Sequence, residues 1–416
     1  MLNHPNVPMH ILFVCRFLPH SQARDSGRLD TFHYIASLSQ QHTVSVISFV
    51  PIEDESGIAE LQSLCEHVIR VPFAHTSLLS RLKRAWWRLL LPKVYGRNHS
   101  SAYRHALRTL LKKNKFDIAV VDGMMAEYGR FLDPIPRILD EVDLFFMVAH
   151  HLYQNETNPL QRPWLWFDWL RTMAWEAHYI TSYQGIFVRS IKDKTIVSEL
   201  APQQQINLLP PWFEGLDELQ TIPIQRPSTN NLLFVGAMNI PANIEAITFF
   251  AKQVLPLVHN DIPDVHLYVV GSNPTPAIWE LSNHPGITVT GMVPSLAPYY
   301  ANATLIIVPL FTGGGIIVKT LNGLASGRPT ITTFLGNSGT GAEHKRDLWI
   351  VPPDPQAMSI AIRQLLTDTE QWYNLAQNGR TFIQENYAWE QTIQKMTGFL
   401  YETASKTAIN SDISPK

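Results

Sequence analysis

Three consecutive glycines, Gly313, Gly314 and Gly315, are followed four residues later by a single lysine, Lys319. Before them, residues 303–310 are aliphatic and β-branched and read as a strand; after them, residues 315–326 read as a helix. Glycines let a backbone come close to a ligand, and the free amides at a helix start attract anions. A lysine adds a point charge that can hold phosphate. Strand, glycine loop, helix and lysine in this order are the chemistry of a diphosphate cradle, with Gly313, Gly314, Gly315, Ile316 and Lys319 as its contacts. The bland reading of the same glycines is a tight turn. The position, late in the chain, excludes the usual N-terminal dinucleotide fingerprint.

Other residues with chemical potential lie at strand ends. Gly236 closes the apolar run 232–236, and Gly27 and Arg28 open a helix after the run 10–15. Asp140 and Asp143 lie at the end of the run 137–142, where a carboxylate either works on a substrate or caps a loop. Cys, His and carboxylate spacing gives no metal set, and no Ser-His-Asp arrangement or nucleophile elbow is present.

These residues need a scaffold. At 416 residues the chain exceeds one ordinary core, so two domains are expected. The composition is globular, with 45% hydrophobic and 16% charged residues, and a net charge of −2 argues against nucleic acid as a partner. Two cysteines, Cys15 and Cys65, make no disulfide framework and fit a reducing compartment. Residues 1–9 are polar and lack an apolar signal core, and no run reaches the roughly 18–20 apolar residues of a membrane span. The expected location is cytoplasmic, with any membrane contact peripheral and at the inner face.

Short apolar runs alternate with helical patterns throughout, the rhythm of βαβ units and parallel sheets. Strands are expected at 10–15, 43–49, 67–73, 117–122, 137–142, 185–189 and 206–210, then at 232–236, 265–271, 287–291, 303–310, 330–333 and 349–351. A long tryptophan-rich helix is expected over 159–182. Residues 214–230 hold two prolines and no periodicity, and read as a linker. The expected fold class is therefore α/β, with two Rossmann-like, doubly wound domains at 1–213 and 231–385 facing a cleft, and a polar tail at 405–416. Ligands bind such sheets at their carboxyl edges.

The segment 313–329 resembles the glycine-rich motif of family 4 retaining glycosyltransferases, of the GT-B fold. Gly313, Gly314, Gly315, Lys319, Leu321, Leu324 and Ala325 match its triple-glycine subgroup. Residues 234–243, 269–274 and 291–294 are similar to the opening segments of that subgroup's second domain. Asn386, Tyr387, Ala388, Trp389 and Glu390 match the closing helix, which in such proteins packs back onto the first domain over about 386–404. The resemblance implies sugar transfer from a nucleotide diphosphate sugar (UDP- or GDP-linked) to a hydroxyl acceptor, without a metal or cofactor. The acceptor would belong to a polysaccharide, glycolipid or other cell-surface glycan, or be a small molecule. It further implies that Gly27, Gly236, Gly313–Gly315 and Lys319 meet the diphosphate, and that Asn322 meets the ribose.

The departures from the motif are specific. Asn322 stands where the family carries a ribose-binding glutamate, Ile317 where the subgroup often has arginine, and Val142 where many relatives have histidine. A neutral amide accepts hydrogen bonds about half as strongly as a carboxylate. These changes motivate an alternative, a catalytically weak relative that binds nucleotide-sugar as a partner or scaffold. Sugar, base, acceptor and oligomeric state are not legible at this level.

One basic region stands apart. Residues 81–115 hold eleven lysines and arginines and no acid. Arg84, Trp86, Trp87 and Arg88 could lie on anionic lipid or, with Arg28, meet the acceptor; the simpler reading is a solvated helix face. Arg104, Arg108 and Lys112 repeat the helical spacing. Trp164, Trp166, Trp169 and Trp175 read as core or cleft wall rather than a lipid anchor.

Overall fold

A computed structural model describes residues 7–23, 26–50, 57–73, 91–95, 98–213, 215–313 and 315–413. Gly314 and the quartet Arg84, Trp86, Trp87 and Arg88 lie outside the described residues. The chain divides into two compact units. Unit 1 is Met1–Trp212 with Trp389–Lys416, and unit 2 is Phe213–Ala388.

Unit 1 holds a seven-stranded parallel sheet: β1 (His10–Phe17), β2 (Thr43–Val50), β3 (His67–Pro72), β4 (Ile118–Asp122), β5 (Arg137–Glu141), β6 (Gly185–Val188) and β7 (Gln205–Leu208), in the order β3-β2-β1-β4-β5-β6-β7. Successive side chains of β1 point to opposite faces, and both faces are covered. Leu12 and Val14 join one core, Ile11, Phe13 and Cys15 the other. A strand buried on both sides reads as a continuous apolar run, which is why these strands stand out in the sequence. The helices are α1 (Ser26–Leu38), α2 (Ile58–Leu64), α3 (Ser101–Lys113), α4 (Phe145–Asn155), α5 (Arg162–Ser182) and α6 (Ile191–Leu200).

Unit 2 repeats the architecture with six parallel strands: β8 (Asn231–Val235), β9 (His266–Val270), β10 (Ile287–Gly291), β11 (Leu305–Val308), β12 (Thr330–Thr332) and β13 (Trp349–Ile350), ordered β10-β9-β8-β11-β12-β13. Its main helices are α7 (Pro241–Phe249), α8 (Val318–Ala325), α9 (Pro355–Thr367) and α10 (Thr369–Asn386). A last helix, α11 (Trp389–Ile413), belongs to unit 1. There Trp389 stacks on Tyr34 at 5.2 Å and donates to Ser37 Oγ at 3.0 Å, and Phe399 lies 5.3 Å from Phe187.

The structure differs from expectation in three places. The stretch 214–230, read as linker, contains a helix at Leu216–Gln220 and contributes to the core of unit 2 through Leu216, Leu219 and Ile222. The Arg380 and Arg328 guanidiniums hold the Ile222 and Pro223 carbonyls at 2.6 and 3.1 Å. The tryptophan-rich helix starts at Arg162, after a separate α4. Trp164 and Trp166 are exposed rather than core, because the first turns of α5 extend beyond the body that buries Thr172, Glu176, Tyr179 and Ile180.

The α4–α5 pair is fastened at its base. Glu176 on α5 accepts from the Phe145 and Phe146 amides, both at 2.8 Å, and from the Tyr95 hydroxyl at 2.7 Å. A carboxylate from a neighbouring helix thus satisfies amides at the start of α4 that have no partner within the helix.

In unit 2 the turns after β8 and β9 touch backbone to backbone. Gly271 has φ +149, and a Cβ there would fall 1.8 Å from the Gly236 carbonyl oxygen. A Gly271→Ala variant is expected to lose about 2–4 kcal/mol of stability, from combined overlap and backbone strain, read as a lowered urea midpoint.

Candidate functional site

Doubly wound sheets bind ligands where the strand order reverses. In unit 2 that point lies between β8 and β11. The loop after β8 carries Gly236 and leads into α7; the loop after β11 carries Gly313 and Gly315 and leads into α8. Both of these glycines have positive φ, +124 and +73, and a Cβ on either would meet nothing within 4 Å. They are required by backbone conformation, not by packing. The left-handed turn at Gly315 also delays the helix, which begins at Val318 instead of directly after the glycines.

Lys319 therefore sits in the first turn of α8. Its ammonium donates to Asn243 Oδ1 on α7 and lies 4.9 Å from the Phe234 ring centroid. Asn243 is buried, and its Nδ2 donates to the Ala237 carbonyl at 2.9 Å, which turns its oxygen toward the lysine. A Cβ on Gly236 would lie 2.8 Å from Asn243 Nδ2 and 3.2 Å from Lys319 Nζ. Gly236, Asn243 and Lys319 thus form one constellation. Among the described residues no carboxylate hydrogen-bonds or pairs with the lysine, and burial pushes its pKa down to about 8. An ammonium with three donors and one neutral acceptor is a site for an anion.

The surroundings hold this lysine in place. Thr320 donates to the Gly336 carbonyl at 2.6 Å, and Thr312 in the glycine loop donates to Glu245 Oε2 on α7 at 2.9 Å. Gly323 lets α8 press on the sheet, since a Cβ there would meet Thr330 Oγ1 at 2.4 Å. Ile316 packs partly buried against the core, and Ile317 and Met238 are buried. Asn322 is buried too. Its Oδ1 and the Tyr300 hydroxyl both lack a hydrogen bond of good geometry, although the amide is near enough to pull the burial-raised phenol pKa back down.

In unit 1 the strand order reverses between β1 and β4, and a cavity of about 300 Å³ opens there. It brings together Gly27, Arg28, Asp140 and Asp143 from the sequence reading, with Val142, and adds Arg16 and Asp122. Asp140 is committed elsewhere as well. Arg189 Nη2 donates to its Oδ2 at 2.9 Å, and Arg189 Nε lies 3.8 Å from Asp30, making a buried acid–base–acid row. Asp143 is exposed at the rim, with its carboxyl pKa raised by desolvation and by Asp193. Asp122 accepts from the Met124 and Arg16 amides at 2.8 and 3.3 Å, yet burial still lifts it to about 6. Arg16 donates through Nε to Asn98 at 2.9 Å. Burial likewise raises Glu141 well above the carboxylate range and Glu176 to about 7. His150 lies 4.4 Å from Trp169, and His151 bonds Asn155, both on or beside the α4–α5 pair.

Asn243, Asp122 and Arg16 were missed by sequence reasoning. The last two end the apolar runs of β4 and β1, so the strand-end rule that selected Asp140 applies to them equally. Asn243 gave only a weak signal, an amide in the first turn behind Pro241. Among the described residues no cluster of three or more His, Cys, Asp or Glu could hold a metal ion, and no helix is long and apolar enough to cross a membrane.

This is the geometry of GT-B proteins: two Rossmann-like units, each open at its switch point. Residues 229–368, which hold the whole lysine constellation, match the family described as Glycosyl transferases group 1. A Klebsiella pneumoniae protein, described as an uncharacterized 44.6 kDa protein in the cps region, is 26% identical over 165 residues. That match spans 38% of this chain and 42% of the relative's length. Among solved structures, sucrose-phosphate synthase of Thermosynechococcus elongatus superposes with TM-score 0.64 at 17% identity, over 95% of this chain and 98% of its own. Anabaena HepE in complex with UDP gives TM-score 0.65 at 11% identity, over 95% and 100%. A glycosyltransferase of Rickettsia africae gives 0.62 at 13%, over 95% and 98%. The family match bears on residues 229–368, and the structural likenesses show the GT-B fold.

Two stability outcomes follow from the site. Asp140→Ala takes from buried Arg189 the carboxylate it hydrogen-bonds, leaving Asp30 at 3.8 Å, and is expected to cost about 3 kcal/mol by urea unfolding. Lys319 is deprotonated in the folded chain from about pH 8, whereas the unfolded chain keeps that proton to about 10.5. Stability is therefore expected to rise with pH across that window relative to Lys319→Met, as followed by thermal melts.

Proposed function

We propose that this protein transfers a sugar from a nucleotide diphosphate sugar to a hydroxyl acceptor, with retention of anomeric configuration, as a family 4-type hexosyltransferase that uses no metal. The observation that carries the reading is Lys319, a half-buried ammonium at the switch point of unit 2 with one neutral acceptor. The diphosphate supplies the missing negative charge. The amides following Gly315 hold its oxygens, with Gly236 leaving room beside the lysine. As the sugar–phosphate bond breaks, charge grows on the leaving diphosphate, and Lys319 stabilises it from a fixed position. The leaving phosphate takes up the acceptor proton, so no protein nucleophile is needed. Gly27, Arg28 and Asp143 in the unit 1 cavity contact acceptor or donor, while Asp140 acts through its ion pair.

The group 1 match over 229–368 supports this reading, as does the binding of UDP by HepE. UDP- and GDP-sugars are both candidate donors, and the acceptor is a glycan, a lipid-linked sugar or a small hydroxyl compound. Cys15 and Cys65, both free and buried, suit a cytoplasmic location, with the work done at the inner face of the membrane. A second reading, nucleotide-sugar binding without efficient turnover, is favoured by the burial of Asn322 beside Tyr300 where a ribose-binding carboxylate would stand.

Calorimetry with UDP and GDP separates these readings from neither. Wild type is expected to bind one of the two, and Lys319→Ala to lose about 1–3 kcal/mol of that affinity. Wild-type affinity is expected to fall as pH rises through about 8, where the free lysine loses its proton. A matching sugar nucleotide should then give a product whose anomeric configuration, read by NMR, equals the donor's. Binding without product selects the second reading, and no binding of either nucleotide rejects both.

A further inference from the structure

Strand β1 is covered on both faces, whereas β9 and β10 at one side of unit 2 are covered on one. Leu267, Val269, Ile287 and Val289 are buried on the first face, but His266, Tyr268, Thr288 and Thr290 are only half-buried on the second. The strand register places Leu233, Tyr268 and Thr288 side by side on that second face. The connection from β10 to β11 lays a single helix of six residues over it, Ala297–Asn302. At roughly 9 Å long, such a helix covers only part of the face. Between helix and sheet lies a cavity of about 480 Å³, a size that suits a small-molecule site. The strands supply Asn231, Leu233 and Tyr268 to its lining, and the helix supplies Pro298, Tyr299 and Asn302. Parallel sheets covered on both faces have continuous apolar strands. Polar residues at alternate positions of β9 and β10 therefore mark a face built to stay open.

The lining selects the ligand. Among the described residues no Lys, Arg, Asp or Glu lines the cavity. A phosphate or a nucleotide finds no cation there, and an amine finds no carboxylate. Glu218, which accepts from Ser295 Oγ at 3.1 Å, stands outside the lining. The Tyr268 and Tyr299 rings meet edge to face, 6.4 Å apart at 63°. Among the described residues their hydroxyls and the Asn302 side chain make no hydrogen bond, and Asn231 uses only Nδ2, on the Asn302 carbonyl at 3.2 Å. A hydrocarbon ligand would cover these phenols and amides and leave them unpaired. A sugar ring answers both parts of the lining. Its C–H face packs on a tyrosine ring, and its hydroxyls donate and accept.

We propose that this cavity is a second binding site, for a neutral sugar unit of a glycan, with the sugar ring against Tyr299 and Tyr268 and its hydroxyls on Asn231, Asn302 and the two phenols. The cavity lies on a face of the sheet and reaches Asn231, the first residue of β8. The Lys319 constellation lies instead past the carboxyl ends of β8 and β11. A glycan is held here by contacts that need no nucleotide, so the site stands whether or not the chain transfers sugar.

The test is an array of neutral and anionic oligosaccharides probed with the full chain, followed by saturation-transfer NMR on the neutral ones it retains. Wild type retains neutral oligosaccharides, and neither UDP nor GDP displaces them. Tyr299→Ala lowers their affinity at least about tenfold, since the stacking face is lost. Asn302→Ala lowers it about fivefold through one lost hydrogen bond. Asn302 is exposed, so its variant keeps the test valid even where Tyr299→Ala fails to fold, which melting midpoints reveal. Lys319→Ala binds the same oligosaccharides as wild type while its nucleotide affinity falls, which separates this site from the donor site. The inference is overturned if no neutral oligosaccharide is retained, if UDP or GDP displaces those that are, or if Asn302→Ala and a folded Tyr299→Ala bind as wild type does. A proline-rich peptide also suits a tyrosine-lined groove, and its binding in place of every oligosaccharide equally overturns the inference.

Discussion

The hydrogen bond between Lys319 and Asn243 is the constraint on which the second unit's site depends. It spans the parting of β8 and β11, joining the first turns of two helices that are 76 residues apart in the chain. A half-buried ammonium is costly without an anion, and the neutral amide compensates only part of that cost. The rest of the neighbourhood follows from keeping the lysine there. Gly236 has no side chain because any would strike Asn243 and Lys319. Gly271 has none because it presses on the Gly236 carbonyl. Thr312 and Thr320 tie the glycine loop and the helix start to their surroundings.

The architecture was readable because of how these sheets are buried. Parallel strands covered on both faces leave runs such as Ile11–Val14 and Leu305–Val308, which no surface element imitates. Helix starts were less readable, since the left-handed turn at Gly315 postpones α8 to Val318. The glycines and Lys319 carried a chemical signal of their own; their partners did not. Asn243 meets Lys319, and Arg189 meets Asp140 from 49 residues away, through pairings that only the folded sheet creates. Trp164 and Trp166 of α5 were misread for a related reason, whereas Trp169 and Trp175 do pack against the core. A helix aromatic on several faces has no polar stripe to mark its solvent side, so composition suggests burial where the first turns in fact stand clear.

Unit 1 concentrates buried acid near its own switch point. Asp122, Asp140, Glu141 and Glu176 each raise the cost of ionising a neighbour, and the chain answers each differently. Asp140 takes Arg189, Asp122 takes two backbone amides, and Glu176 takes the amides that open α4 and the Tyr95 hydroxyl. Glu141 has an oxygen without a partner and is held toward its neutral form. One acid therefore both belongs to this cluster and fixes the base of the aromatic helix pair, so the cavity floor and the surface projection share a foundation.

Helix α8 is enclosed on nearly every side from Thr320 to Ala325. Such a helix offers little room for gradual substitution, because each position is already matched to a neighbour in volume or hydrogen bonding. Substitution is thereby expected to be tolerated poorly on the element that bears the lysine. It is expected to be tolerated better on the rim of the unit 1 cavity, where residues such as Asp143 stand in solvent. The lysine thus stands on an element with little freedom to change, while the cavity rim has more.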